Sequence, residues 1–140
     1  MTITEIRKDL FNISNNEYYY VHCISADYAL GAGIAKIFRD RFNMRKKLEN
    51  SFPNHPLHKA LLCGKTFNLV TKERYWQKPT YVTLQKTLND LKTQCEKYNI
   101  KKLAMPKIGC GLDRLEWTKV KQMLIKTFKN TDIAITVCYI

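Results

Sequence analysis

The chain has 140 residues, 45% hydrophobic and 26% charged, which suits one folded domain over residues 1–140 and excludes a disordered chain. Lys and Arg outnumber Asp and Glu 24 to 12, and the net charge of +12 favours anionic partners such as nucleic acid, nucleotides or phosphates. No apolar run is long enough to cross a bilayer, the opening MTITEIRKDLF has no secretory character, and the five scattered cysteines form no CxxC pair, so a soluble intracellular protein is expected.

Residues 2–7 and 18–24 read as strands, the second (YYYVHCI) because aromatic and β-branched residues are dense. Ile34, Ile37, Phe38 and Phe42 recur at helical spacing and predict a helix over 33–42. Residues 51–64, with Pro53 and Pro56, read as an irregular crossover, and 65–71 as a strand. Tyr81, Leu84, Leu88, Leu91, Cys95 and Tyr98 form one apolar stripe on a helix over 80–98, with Pro79 in its first turn. A short buried strand at 102–106 follows, then a helix at 117–128 with Trp117, Val120, Met123, Leu124 and Phe128 inward. The last segment, IAITVCY at 133–139, is apolar on both faces and reads as an internal strand. Alternating strands and helices predict an α/β domain with helices covering a largely parallel or mixed sheet.

Four of the five glycines form two pairs, Gly31-Ala32-Gly33 and Gly109-Cys110-Gly111. Each pair lies between an expected strand and an expected helix. Such loops direct backbone N–H groups and a helix dipole at one point, and two of them facing each other can hold a pyrophosphate. Simple tight turns are the plain alternative. The fingerprint GxGxxG occurs at neither place, which counts against a nicotinamide dehydrogenase.

Basic residues cluster at Lys36, Arg39, Arg41, Arg45, Lys46 and Lys47, and again at Lys119, Lys121, Lys126 and Lys129. Solvated helix faces explain them as well as a nucleic-acid surface does, and no finger or RNP-type signature accompanies them. Asp113, in GCGLDRLEW, is either a helix cap with Glu116 or a carboxylate presented to a ligand. Lys72 is either a solvated strand end or a nucleophile, and the second role requires loss of its proton. His22 reads as a core histidine, and His55 with His58 lacks the third ligand a metal site needs. Cys110, with no identifiable base, reads as a small residue packed under its loop. Tyr75 and Trp76 read as exposed aromatics that stack on a base or ribose, or simply pack.

Taken together, KDLFNI (8–13), HCISADYALGAGIAKIF (22–38), LVTKERYWQKPTYVTLQKTL (69–88), MPKIGCGLDRLEW (105–117) and the closing TDIAITVCYI resemble the macrodomain superfamily. Within it they resemble the branch of the terminal ADP-ribose protein glycohydrolase. The resemblance implies a three-layer α/β/α sandwich with a mixed central sheet that binds ADP-ribose. It implies Asp9 at the adenine amino group with Leu10 beside it, and Ser25 lining the distal ribose. It assigns Gly31, Ala32, Gly33 and Ile34 to the first ligand loop, and Ile108, Gly109, Cys110, Gly111 and Leu112 to the diphosphate loop. Lys72 and Asp113 fall on the family's catalytic pair. Two features depart from the pattern: Lys8 replaces the usual glycine before the aspartate, and residues 50–64 have no clear counterpart.

The implied activity is an ADP-ribosyl glycohydrolase acting on glutamate or aspartate esters or on O-acetyl-ADP-ribose, without metal or other cofactor. ADP-ribosylated DNA, the substrate of related antitoxin macrodomains, and a non-catalytic ADP-ribose reader are the alternatives. The expected partners are ADP-ribose and ADP-ribosylated protein or DNA. The expected state is a monomer in the cytoplasm, or in the nucleus of a eukaryotic cell.

Overall fold

The computed structural model describes residues 1–140. The strands are β1 (Thr2–Arg7), β2 (Tyr19–Ser25), β3 (Ala60–Cys63), β4 (Thr66–Lys72), β5 (Lys102–Met105) and β6 (Ala134–Tyr139). The helices are α1 (Gly33–Phe42), α2 (Met44–Ser51), α3 (Tyr81–Lys97) and α4 (Trp117–Phe128). The six strands form one sheet in the order β1-β6-β5-β2-β4-β3. All neighbours run parallel except the edge hairpin β3–β4, so the sheet is mixed.

Strand alternation divides the core into two layers. On one face Val21, Phe67, Leu69, Leu103 and Val137 pack against Leu84, Leu88 and Leu91 of α3 and Val120, Leu124 and Phe128 of α4. On the other, Tyr20, Ile24, Leu61, Val70 and Cys138 pack against Phe38 of α1 and Met44 and Leu48 of α2. The result is the expected three-layer α/β/α sandwich. β6 lies between β1 and β5, as its two apolar faces require.

Several local expectations are corrected. Helix α2 and strand β3 occupy ground that the sequence left unassigned or irregular. Asn43, at φ +52°, ends α1 in the left-handed region and turns the chain directly into α2. Helix α3 starts later than Pro79 implied: Thr80 is the N-cap, its hydroxyl accepting from Thr83 N at 3.1 Å. Ile37 and Tyr98, placed inward by periodicity, are 44% and 53% exposed, because the buried arcs of α1 and α3 are narrower than the stripes suggested.

The parallel strands place their C-terminal ends on one rim. After β2 the chain leaves toward α1 on one face; after β5 it leaves toward α4 on the other. Strands β2 and β5 are neighbours, so the connections diverge between them, and this switch point is where open α/β sheets take ligands.

Candidate active site

Strands β2 and β4 pair in register up to Ile24↔Val70, and then Ser25 pairs with Lys72, so Thr71 is an extra residue in β4. The bulge redirects the strand end. It sets Lys72 directly beside Ser25, with Ala26 N donating to Lys72 O at 2.9 Å. Lys72 Nζ meets Asp113 Oδ1 at 2.7 Å, and each side chain is only 14% exposed. The lysine is therefore not a solvated strand end. Asp113 is not a helix cap either: α4 begins at Trp117 with Glu116 as N-cap, and no side chain accepts there.

Beneath the pair lies Cys23. Burial raises its thiol, and the Asp113 carboxylate adds to the shift. A neutral thiol underneath leaves the lysine and the carboxylate as each other's counter-charge.

The two glycine loops do face each other. A Cβ built on Gly33 would lie 3.5 Å from Leu112 Cδ1, so the first loop touches the second there. Glycine is required at one position in each loop, Gly33 at φ +60° and Gly109 at φ +74°. Ala32 is the N-cap of α1 and offers no side-chain acceptor. The N–H groups of Gly31, Ala32, Gly33 and Ile34 meet no acceptor within the chain, and neither do those of Gly111, Leu112 and Asp113. Two sets of unpaired donors thus lie on the touching loops beside the Lys72–Asp113 pair, an arrangement that suits an anionic group.

Ile108 and Gly109 are buried under the second loop, and Leu112 is 62% exposed on its crest. The half-buried Cys110 donates its thiol to the Ile108 carbonyl at 3.3 Å, and burial pushes that thiol up to about 11 despite nearby Lys107. It is a packed, protonated residue, as its lack of a base suggested. Leu10 is buried in the cluster that also holds Leu30 and, at its margin, Ile34. Asp9 is exposed on the same rim and caps a single 3-10 turn, accepting from Phe11 N at 2.9 Å. Lys8 prolongs β1, donating its backbone N–H to Tyr139 O at 2.9 Å. No hydrogen bond joins Asp9 to either glycine loop.

Three contributors were missed from the sequence. Asp27 accepts from Ser25 Oγ at 2.5 Å, Ala29 N at 3.1 Å and Tyr75 N at 2.9 Å. Burial pushes this carboxyl up, but the Ser25, Tyr75 and Ala29 hydrogen bonds and the Arg74 charge outweigh it and hold Asp27 below the usual range. Lys78 Nζ donates to the Leu112 carbonyl at 2.6 Å. The β4–α3 connection is therefore a strap tied to both glycine loops, and it leaves Tyr75 and Trp76 66% and 67% exposed. His55 is the third: its ring nitrogens face the Ala26 carbonyl and Glu49, so it is not paired with His58 around a ligand. The Ser25-x-Asp27 spacing, typical of a side-chain-closed turn, was the one legible signal.

A family model for the Macro domain matches residues 65–124. ADP-ribose glycohydrolase OARD1 of Homo sapiens is 41% identical over 137 residues, spanning 96% of this chain and 90% of that protein. The chain belongs to the macrodomain family. The Bos taurus protein of the same name is 40% identical over the same span. Among solved structures, the macrodomain of Mycobacterium tuberculosis DarG has a TM-score of 0.87 at 23% identity, covering 98% of this macrodomain and 97% of that chain. Thermosipho africanus DarTG in complex with ADP-ribose has a TM-score of 0.75 at 17% identity, covering 98% of this macrodomain and 41% of that chain. At such identities these likenesses speak for the fold.

Proposed function

We propose that this macrodomain is an ADP-ribose glycohydrolase that frees ADP-ribose from carboxylate-linked acceptors. The observation that carries the reading is the half-buried Lys72–Asp113 contact of 2.7 Å beside two loops of unpaired N–H donors. The name borne by relatives at about 40% identity supports it. In this reading the loops built around Gly31–Ile34 and Ile108–Leu112 hold the diphosphate. Ser25 lines the distal ribose, and Asp9 and Leu10 meet the adenine.

Binding far from the reacting carbon then positions the anomeric carbon against Lys72. Lys72 passes a proton to Asp113, and its free amine attacks that carbon. The bond to the acceptor carboxylate breaks with its electron pair, and Asp113 returns the proton to the leaving group. Asp113 then takes a proton from a water whose oxygen bonds to the carbon, the lysine–carbon bond breaks with its electron pair returning to nitrogen, ADP-ribose is released, and Asp113 passes the proton back to the Lys72 amine.

The test is release of free ADP-ribose from separately prepared glutamate-linked, serine-linked and thymine-linked substrates. The wild type is expected to turn over the glutamate-linked compound. Lys72→Ala and Asp113→Asn should each lose about 100-fold or more in turnover while keeping calorimetric ADP-ribose binding. Hydrolysis by Lys72→Ala at the wild-type rate removes the nucleophile from the scheme.

A second reading, a nucleic-acid acceptor, is favoured by a specific observation. Tyr75 and Trp76 stand exposed directly after the exposed Arg74 in the strap, on a chain of charge +12. Exposed rings beside cations are a stacking surface for bases. Turnover of the thymine-linked substrate in preference to the glutamate-linked one selects this reading.

A further inference from the structure

Carbonyl groups of the second glycine loop are taken up within the chain, while its N–H groups are left free. The Gly109 carbonyl accepts from Leu115 N at 2.8 Å and the Gly111 carbonyl from Arg114 N at 3.2 Å. The Leu112 carbonyl has a single partner within the chain, Lys78 Nζ at 2.6 Å. The N–H groups of Gly111, Leu112 and Asp113 have none.

The strap brings the lysine to that carbonyl. Near its start, Tyr75 N donates to Asp27 Oδ2 at 2.9 Å. Its middle closes on itself: Arg74 N donates to Gln77 Oε1 at 2.8 Å, and Gln77 N to the Arg74 carbonyl at 3.1 Å. Pro79, directly after the lysine, is buried, and Thr80 caps α3. The backbone under Lys78 is therefore already held, and only side-chain freedom is lost when the ammonium settles on one carbonyl.

A peptide group is planar, and no peptide bond in the chain is cis. In the Leu112–Asp113 peptide the carbonyl oxygen and the Asp113 N–H therefore point in opposite directions. The grip of Lys78 on the oxygen fixes the direction of that N–H, away from the ammonium. The Leu112 side chain gives the peptide little anchorage, being 62% exposed. Arg114 sits at φ +61°, in the left-handed region, where such a residue persists only if its surroundings impose it. Rotation of a released peptide would present a carbonyl where the N–H had been, and an anion would meet a lone pair.

We infer that Lys78 is a positioning residue: by holding the Leu112 carbonyl it aims the Asp113 N–H at the diphosphate and keeps an acceptor out of the row of donors. The inference rests on the reading of that loop as a diphosphate loop. Asp113 also carries the carboxylate that meets Lys72, so turnover falls together with binding when the peptide is released.

The test is calorimetric titration of free ADP-ribose into the full chain and its Lys78→Met and Lys78→Arg variants, at about 50 mM and about 500 mM salt. Lys78 is exposed, so neither substitution disturbs the core. Lys78→Met is expected to raise Kd about tenfold, and Lys78→Arg, which keeps a long charged donor, to stay within about threefold of the wild type. A lysine acting only as a charge on the rim loses its advantage as salt screens it, whereas a held peptide keeps its direction. The Kd ratio of Lys78→Met to wild type should therefore remain about fivefold or more at the higher salt. The second readout is the Asp113 backbone amide in nitrogen–proton correlation spectra. On saturation with ADP-ribose it should move downfield in the wild type and Lys78→Arg, as a donor to an anionic oxygen does, and stay in place in Lys78→Met.

A merely structural Lys78 would lower the urea midpoint of Lys78→Met and leave the Kd and the amide response of the folded protein as in the wild type, which overturns the inference. A Kd ratio below about twofold at the higher salt overturns it as well. So does a wild-type Asp113 amide that stays in place while heat is released, and in each of these cases the ADP-ribose reading stands. Absence of any heat with the wild type removes that reading, and the role of Lys78 with it.

Discussion

Gly109 holds φ +74°, and a Cβ built on it would come within 3.0 Å of Leu115 Cδ1. Alanine there is opposed twice, by the left-handed backbone and by a side chain that must move. Leu115 is no free neighbour, since its N–H donates to the Gly109 carbonyl at 2.8 Å and so closes the loop that carries Asp113. Gly109→Ala is therefore expected to cost about 1–3 kcal/mol in urea unfolding and to depress turnover through Asp113. Gly111, two residues on, has ordinary φ and open space where a Cβ would stand. Gly111→Ala should stay within about 0.5 kcal/mol of wild type. Equal losses at the two positions would show that crowding at Leu115 is not what shapes the loop. The doublets visible in the sequence thus combine one conformationally obligatory glycine with one that is not, a distinction that φ decides and that spelling does not reveal.

At the scale of elements, β2 and β4 share a buried polar pair. His22 Nε2 lies 2.6 Å from Asn68 Oδ1, and the His22 ring stacks on Phe38 at 3.9 Å. Burial drives the imidazole pKa down to about 4, with the Asn68 hydrogen bond opposing. The unfolded chain regains an ordinary histidine near 6.5, so it binds the proton first as pH falls. Stability from this site is complete above about pH 6.5 and is lost toward pH 4, by up to about 3 kcal/mol. Urea midpoints at about pH 7.5 and about pH 4.5 measure it, and a midpoint unmoved between them would contradict the buried neutral ring. The sequence announced His22 as a core residue because it sits within YYYVHCI, where every neighbour is a strand former. It announced α3 and α4 because their apolar residues repeat at one period over the whole element, and β6 because its run is apolar on both faces. Helix α2 escaped because only Met44 and Leu48 are buried among Arg45, Lys46, Lys47 and Glu49, too few to set a period. Strand β3 escaped because it has four residues and follows two prolines. Its outer edge is closed by α3, where Asp90 accepts from Ala60 N at 2.8 Å and Gln94 donates to Ala60 O at 2.5 Å, contacts with no sequence signature. In the candidate site, residues on glycine loops and strand ends were legible, whereas Asp27, Lys78 and His55 act through contacts across 48, 34 and 29 positions of chain.

For the whole molecule, the +12 charge and the position of the candidate site act together. Lys36, Arg74, Lys78 and Arg114 are exposed on the elements that border the two glycine loops, so the rim is cationic where an anionic substrate would enter. ADP-ribose itself brings only its diphosphate to that rim, whatever acceptor it is attached to. A peptide acceptor adds few charges of fixed sign, whereas a single-stranded nucleic acid adds a phosphate at every nucleotide. Each phosphate neutralised on a single strand steepens the dependence of binding on log salt by about 0.7. With about three such contacts, raising salt from about 50 to about 200 mM lowers kcat/KM for a thymine-linked oligonucleotide about 20-fold beyond the loss shared with a glutamate-linked peptide. Removing the rings by Tyr75→Ala with Trp76→Ala should lower oligonucleotide turnover about tenfold or more and spare the peptide, because stacking acts on bases and on neither the diphosphate nor a carboxylate. Parallel salt slopes for the two substrates, with the double substitution equally harmless to both, would assign the cationic rim to the diphosphate alone and leave the protein acceptor as the substrate.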